Sequence, residues 1–260
     1  MRTGFIFLMI SVAVSGVCHG GELRENFYKK SCPLAEEIIR NMTWNHVASN
    51  LALPAKLLRM HFHDCFVRGS DASVLLDSTA NNTAEKDSIP NLSLRGFDFI
   101  EEVKAQLQKT CPGVVSSIKF LISYRSCAHT IGFAHCGAFS RRLYNFTGKG
   151  DADPSLNATY IESLKAQCPN PANAQTTVEM DPRSSGSFDS SYFNILVQNK
   201  GLFQSDAALL TDRASSKTVQ QLRKPRAFLD EFGKSMKKMA AIGVLTGKAG
   251  EIRKQCGVVN

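Results

Sequence analysis

The sequence predicts a mainly all-α domain behind an export leader. Three observations carry this. Several segments of ten or more residues repeat apolar side chains every three or four positions. No run of alternating strands and no glycine-rich nucleotide loop interrupts them. The apolar run that follows Arg2, Phe5 to Val14, is too short to span a bilayer and ends in small residues up to Gly21. Residues 1–21 therefore read as a signal peptide and 22–260 as one domain, for which a hydrophobic fraction of 43% supplies a core.

The elements follow in order. Residues 33–49 read as a helix with Pro33 in its first turn and Leu34, Ile38, Trp44 and Val47 as its apolar face. A second helix starts near Pro54 and runs toward Phe66. The segment after it, VRGSDASVLLDSTANNTAEKDSIPN, is a polar loop. Residues 96–109 are the most regular amphipathic helix, with Phe99, Val103 and Leu107 on one side and a stop at Cys111-Pro112-Gly113. The stretch 114–128 has no clean period. From His129 onward a helix is expected, then a loop over 147–157, a short helix over 158–167 and a loop over 168–187. Helical segments near 189–199, 216–222 and 225–242 complete the pattern.

An exported chain pairs its cysteines, yet removal of the leader takes Cys18 and leaves an odd set at 32, 65, 111, 127, 136, 168 and 256. Sequons at Asn41, Asn81, Asn91, Asn145 and Asn157 point to a glycoprotein. The formal net charge of +8 permits attraction to acidic polysaccharide. No aromatic-basic platform for nucleic acid and no second membrane-length stretch is present.

Chemistry concentrates in Arg59-Met-His-Phe-His63-Asp64. On a helix, Arg59 and His63 share one face, where an imidazole can move a proton beside a fixed cation; an ordinary helix with satisfied histidines is the plain alternative. His61 should point elsewhere. Asp64, Asp71 and Ser73, with Glu85 beyond, offer oxygens at short irregular spacing around Gly69, suited either to Ca²⁺ or simply to solvent. Thr130, Asp181, Ser184 and Asp189 form a sparser set of the same kind. His129 is a helix cap, a core histidine or a metal ligand; zinc is disfavoured because Cys127, His129, His135 and Cys136 cluster too loosely in an oxidising compartment.

The segments LLRMHFHDCFVRGSDASVLLD, NLSLRGFDFIEEVKAQLQKTCPGVVS, SCAHTIGFAHCGAFSRRLYNF, GSFDSSYFNILVQNKGLFQSDAALLTD and MKKMAAIGVLTGKAGEIRKQCGVVN resemble, in order, the secretory plant haem peroxidases of class III. The resemblance covers essentially the whole mature chain. It implies the haem peroxidase fold, with haem b between distal and proximal helical halves, in a secreted monomer of the cell wall or apoplast. It implies that Arg59 and His63 are the distal arginine and acid–base histidine, Phe62 the aromatic between them, and Asn91 the amide that bonds the distal histidine. His129 would be the proximal iron ligand and Asp206 the carboxylate on its other nitrogen. Asp64, Val67, Gly69, Asp71 and Ser73, with Glu85 through water, would hold one Ca²⁺. Thr130, Asp181, Ser184, Ser187 and Asp189 would hold a second.

The implied reaction is reduction of hydrogen peroxide with one-electron oxidation of phenolic donors. The resemblance also implies disulfides Cys32–Cys111 and Cys136–Cys168. Two further bridges are lost: Ser70 stands where Cys65 expects its partner, and the segment at Val115-Ser116-Ser117-Ile118 lacks the partner of Cys256. Between Val115 and Ala128 the family carries roughly sixty further residues, replaced here by Ser116 to Cys127. The alternative is a non-enzymatic, peroxidase-derived calcium-binding glycoprotein with a broken haem pocket.

Overall fold

The computed structural model describes residues 26–67, 69–116, 129–171, 173, 175–245 and 249–260. The leader, most of the altered junction and Cys127 lie outside them. The described residues are mainly helical, as the periodicity predicts.

The N-terminal half packs α1 (Ala35–Ser49), α2 (Leu53–Val67) and α3 (Phe97–Thr110) into one core. Leu57 and Met60 of α2 share one buried cluster with Ile100, Val103 and Leu107 of α3. On α1 the buried side chains are Ala35, Ile39 and Thr43. Of the expected apolar face, Ile38 and Val47 pack against this core, whereas Trp44 is 76% exposed and Leu34 52% exposed. Helix α1 also starts two residues after Pro33, which lies in the turn before it. The disulfide Cys32–Cys111 ties the entry of α1 to the end of α3. Deep in this half, Lys104 donates to the Val115 carbonyl and the Ser116 N–H donates to the Tyr28 hydroxyl at 3.1 Å.

The C-terminal half begins differently from the expected helix at His129. Residues 129–132 are turns and bends, Phe133–His135 form β1, Cys136–Ala138 make a 3₁₀ turn, and an α-helical turn, α4, is confined to Ser140–Tyr144. β1 pairs antiparallel with β2 (Thr177–Glu179), with Phe133 opposite Glu179 and His135 opposite Thr177. The expected loop over 168–187 thus contains a strand. Helix α5 (Ala158–Gln167) is capped by the Asn157 side chain, which accepts from the Tyr160 N–H at 3.0 Å. The disulfide Cys136–Cys168 joins the end of β1 to the end of α5 across a core of Phe139, Leu143, Leu164, Val178 and Leu202.

Helices α6 (Ser191–Leu196), α7 (Gln204–Ala208), α8 (Arg213–Leu222) and α9 (Pro225–Ala240) follow, with Phe188, Phe193, Phe228 and Phe232 in mutual ring contact. Helix α9 returns to α2: the Ser70 hydroxyl donates to the Met239 carbonyl at 3.2 Å, and its N–H to that of Ile242 at 2.7 Å. The halves also touch at Gly132, where an added Cβ would lie 2.9 Å from the Ala55 Cβ of α2; the positive φ of 101° there further requires glycine.

Cys65 and Ser70 are both buried, and the Ser70 hydroxyl lies directly against the Cys65 sulfur. Burial pushes the Cys65 thiol up to about 12, so it is inert as a nucleophile. The substitution S70C should close a bridge to Cys65 under oxidising conditions. The gain should be about 2 kcal/mol for so short a loop, read as a higher urea midpoint that reductant abolishes.

Candidate functional site

Helix α2 carries Arg59 and His63 one turn apart. Both are held by one segment of the loop after it. Arg59 Nη2 donates to the Pro90 carbonyl at 3.1 Å, and His63 Nδ1 lies 2.6 Å from Asn91 Oδ1. Asn91 is 6% exposed, and its Nδ2 donates to the Glu85 carbonyl at 2.7 Å. A carbonyl only accepts, so the amide presents its oxygen to the imidazole. His63 must therefore carry its proton on Nδ1 and keep a lone pair on Nε2. An imidazole so fixed can take and return a proton. Burial, with Arg95 adding to it, lowers the Arg59 pKa from its ordinary value, yet a guanidinium keeps its charge. Phe62 is 45% exposed and meets His63 edge-on, with ring centroids 5.9 Å apart. His61 turns inward, 3.5 Å from the Cys65 sulfur, and burial lowers it to about 4, leaving it neutral.

On the other side His129 Nδ1 lies 2.9 Å from Asp206 Oδ1. The carboxylate again only accepts, so Nε2 of His129 is left as a lone pair able to ligate a metal. Asp206 is 5% exposed and takes two further donors on Oδ2, the Tyr192 hydroxyl at 2.5 Å and the Phe203 N–H at 3.3 Å. The Phe203 ring packs on His129 at 4.5 Å between centroids. Burial and the Asp206 charge hold the Tyr192 phenol protonated well above the usual tyrosine range. Tyr192 and Phe203 were not singled out from sequence, although a buried tyrosine hydroxyl always needs a partner.

The oxygen-rich loops differ from each other. Asp64 is 1% exposed and its Oδ1 has no hydrogen-bond partner, as does the buried Ser73 hydroxyl. Asp64 Oδ2 accepts from the Ala72 N–H at 3.3 Å, and Asp71 Oδ1 from the Ser73 N–H at 2.9 Å. Burial first, then Asp71 and Glu85, push the Asp64 carboxyl up to about 7. An orphaned carboxylate oxygen, an orphaned hydroxyl and neighbouring negative charge are what a hard cation would satisfy. Gly69, with φ of 113°, packs so closely on Gly243 that a Cβ would lie 2.8 Å from its Cα. Val67 is the last residue of α2.

In the second set Thr130 donates to the Asp189 carbonyl at 2.7 Å, Ser184 to Asp189 Oδ2 at 2.8 Å, and Ser191 to Asp181 Oδ2 at 2.6 Å. Thr130, Asp181, Ser184 and Asp189 thus come together through Ser191, a link the sequence did not suggest. Their carboxylates already have partners. Ser187 is exposed, and its N–H donates to the Ser184 carbonyl at 2.8 Å. Among the described residues no three His, Cys, Asp or Glu side chains converge as a metal cluster, so either loop would need hydroxyl and backbone oxygens to complete a cation site.

The family model for peroxidases matches residues 39–123 and again 121–224. The chain belongs to the class III plant secretory peroxidases. It is similar to Peroxidase 24 of Arabidopsis thaliana, 43% identical over 307 residues that cover 92% of this chain and 88% of that protein. Peroxidase 3 of the same plant is 38% identical over 302 residues, with 92% of each chain covered. Peroxidase 39 is 38% identical over 325 residues, covering 100% of this chain and 99% of the relative. With only 260 residues in the chain, about 65 of those 325 aligned positions are filled by the relative alone.

Gly201 sets the approach of Tyr192 to Asp206. A Cβ there would lie 2.8 Å from Leu196 Cδ1, 3.0 Å from Asp206 Cβ and 3.4 Å from the Tyr192 hydroxyl. G201A should cost about 1–3 kcal/mol of stability, measured by urea unfolding, because buried groups must separate to admit one methyl.

Proposed function

We propose that this peroxidase is exported and binds haem b, reduces hydrogen peroxide, and oxidises small phenolic donors by single electrons. The observation that carries the reading is the matched pair of imidazoles, His63 and His129, each with Nδ1 tied to an acceptor and Nε2 left as a lone pair. Haem b, ligated through His129, would supply the electron transfer to the peroxide O–O bond and from the donor. His63 Nε2 takes the proton from one peroxide oxygen and returns it to the other as that oxygen leaves. Arg59 stabilises the negative charge that develops between these two steps. Asn91 keeps His63 in the tautomer this shuttle needs, Phe62 flanks the imidazole, and Asp206 holds His129.

Ca²⁺ fits the distal loop, with oxygens from Asp64, Val67, Gly69, Asp71 and Ser73 and with Glu85 behind them; the two orphaned oxygens support it. The second set, Thr130, Asp181, Ser184, Ser187 and Asp189, is assigned to Ca²⁺ by likeness to the family. Exposed Arg213, Lys217, Lys224, Arg226, Lys234, Lys237 and Lys238 on α8, α9 and their turn support retention on acidic polysaccharide. No helix among the described residues is long and apolar enough to cross a membrane.

We place the missing positions at the junction 116–127, which the two family-model matches straddle by meeting at 121–123. This shortening favours a second reading, a secreted calcium-binding glycoprotein that has lost its haem.

An absorption spectrum of the mature protein, purified with haem and Ca²⁺, decides between the two. The enzyme reading expects a Soret band with one haem per chain and a spectral change on adding peroxide; a folded protein without the band sinks it. H129A should lose the haem. R59L and H63L should keep it while reacting with peroxide about 10²–10⁴-fold more slowly, measured by stopped flow. Chelation of Ca²⁺ should lower the melting temperature, and D64N should make that temperature insensitive to the chelator.

A further inference from the structure

The carboxylate of Asp206 is shared. Oδ1 receives His129 at 2.9 Å, and Oδ2 receives the Tyr192 hydroxyl at 2.5 Å, the shorter of the two bonds. Tyr192 lies on α6, 5% exposed, with its ring set edge-on to His129 at 6.0 Å between centroids. Its position is fixed from two directions. Gly201 leaves the space in which hydroxyl and carboxylate meet. The backbone there is clamped by Arg142, which donates to the Gly201 and Leu202 carbonyls at 2.8 Å each while its Nε bonds Asp153 at 2.7 Å. This ion pair is buried, with side chains 4% and 1% exposed, so the clamp is dry and well defined.

A carboxylate that receives a strong second donor has less charge to offer the first. The stronger the pull of Asp206 on the Nδ1 proton, the more anionic the His129 ring becomes, and a more anionic imidazole would, as a haem-iron ligand, favour the ferric over the ferrous state. We propose that Tyr192 is a positioning residue that tunes the haem reduction potential by competing with His129 for Asp206. The inference rests on the haem reading above and adds to it an assignment for a residue that touches neither the substrate nor the iron. Its sign is definite: the hydroxyl raises the potential.

The experiment uses the haem-loaded protein and measures the ferric/ferrous potential together with the Fe–His stretching frequency of the ferrous form by resonance Raman. Y192F removes one oxygen. It should keep its Soret band, raise the stretching frequency and lower the potential by up to a tenfold change in the ferric/ferrous ratio, about 59 mV for one electron. In a D206A background the same substitution should move neither quantity. Should Y192F lose its haem, 3-fluorotyrosine at position 192 retains ring and hydroxyl and, as a stronger donor, should shift the potential upward. An unchanged potential in haem-loaded Y192F or in the fluorinated protein overturns the inference alone. An equal shift in the D206A background also overturns it, since the effect would then bypass the carboxylate. A wild-type chain that takes up no haem ends the haem reading and this assignment with it.

Discussion

A carboxylate buried to 5% exposure is the constraint around which the C-terminal half is arranged. Asp206 cannot stay charged there without donors, and each donor comes from a different part of the chain: His129 from the turn before β1, Tyr192 from α6, and the Phe203 N–H from the backbone entering α7. Satisfying one side chain thereby fixes three segments relative to one another. The buried Arg142–Asp153 pair extends the same logic outward, because a guanidinium that reaches the Gly201 and Leu202 carbonyls orders the strand of backbone leading to Asp206. Removing either ion of such a pair leaves its partner buried and unpaired, which is costlier than never having built it.

The N-terminal half solves the matching problem with a neutral amide. Asn91 reads the tautomer of His63 because its own orientation is dictated by the Glu85 carbonyl. The two imidazoles therefore differ in what stands behind them: a carboxylate for His129 and an amide for His63. The carboxylate makes a ring more basic and a better metal ligand, whereas the amide fixes direction without adding charge. One sequence thus supplies two histidines in different electrostatic settings, and the partner rather than the ring distinguishes them. Asn91 is buried and its amide is bonded at both ends, to His63 through the oxygen and to the Glu85 carbonyl through the nitrogen.

Local periodicity made α3 legible, because Phe99, Val103 and Leu107 repeat every four residues and a helix is the only element that stacks them. The same reasoning finds only half of the α1 face: Ile38 and Val47 pack on the core, but Leu34 and Trp44 are apolar and exposed while the small Ala35 is buried. Apolar identity was used there as a proxy for burial, and with fifteen residues and a modest apolar stripe it fails. The strand at Phe133–His135 was invisible because three residues carry no period and their partner lies beyond residue 170. In the site, Arg59 and His63 were legible from a single turn of helix. Asn91 and Asp206 stand 28 and 77 residues from the histidines they bond, so spacing alone could not join them; the family resemblance did. Tyr192 had neither route, since its contact with Asp206 depends on a gap created by a missing side chain at Gly201.

The same architecture explains why a chain short by about 65 positions relative to Peroxidase 39 can still present both histidines. Each half has its own core and its own disulfide: Cys32–Cys111 closes the half with α1 to α3, and Cys136–Cys168 closes the half with β1 and α5. Neither the His63–Asn91 bond nor the His129–Asp206 bond crosses from one half to the other. Among the described residues the halves are joined by the return of α9 to Ser70, by Arg253, which donates to the Asp71 and Ala72 carbonyls at 3.0 Å each, by Cys256, which is buried in the core of α1 to α3, and by the close approach of Gly132 to Ala55. Shortening at the proposed junction therefore leaves each imidazole its partner, because each bond lies within one half. On the haem reading proposed above, haem uptake would report on the junction, whereas the partners of the two histidines report only on the halves.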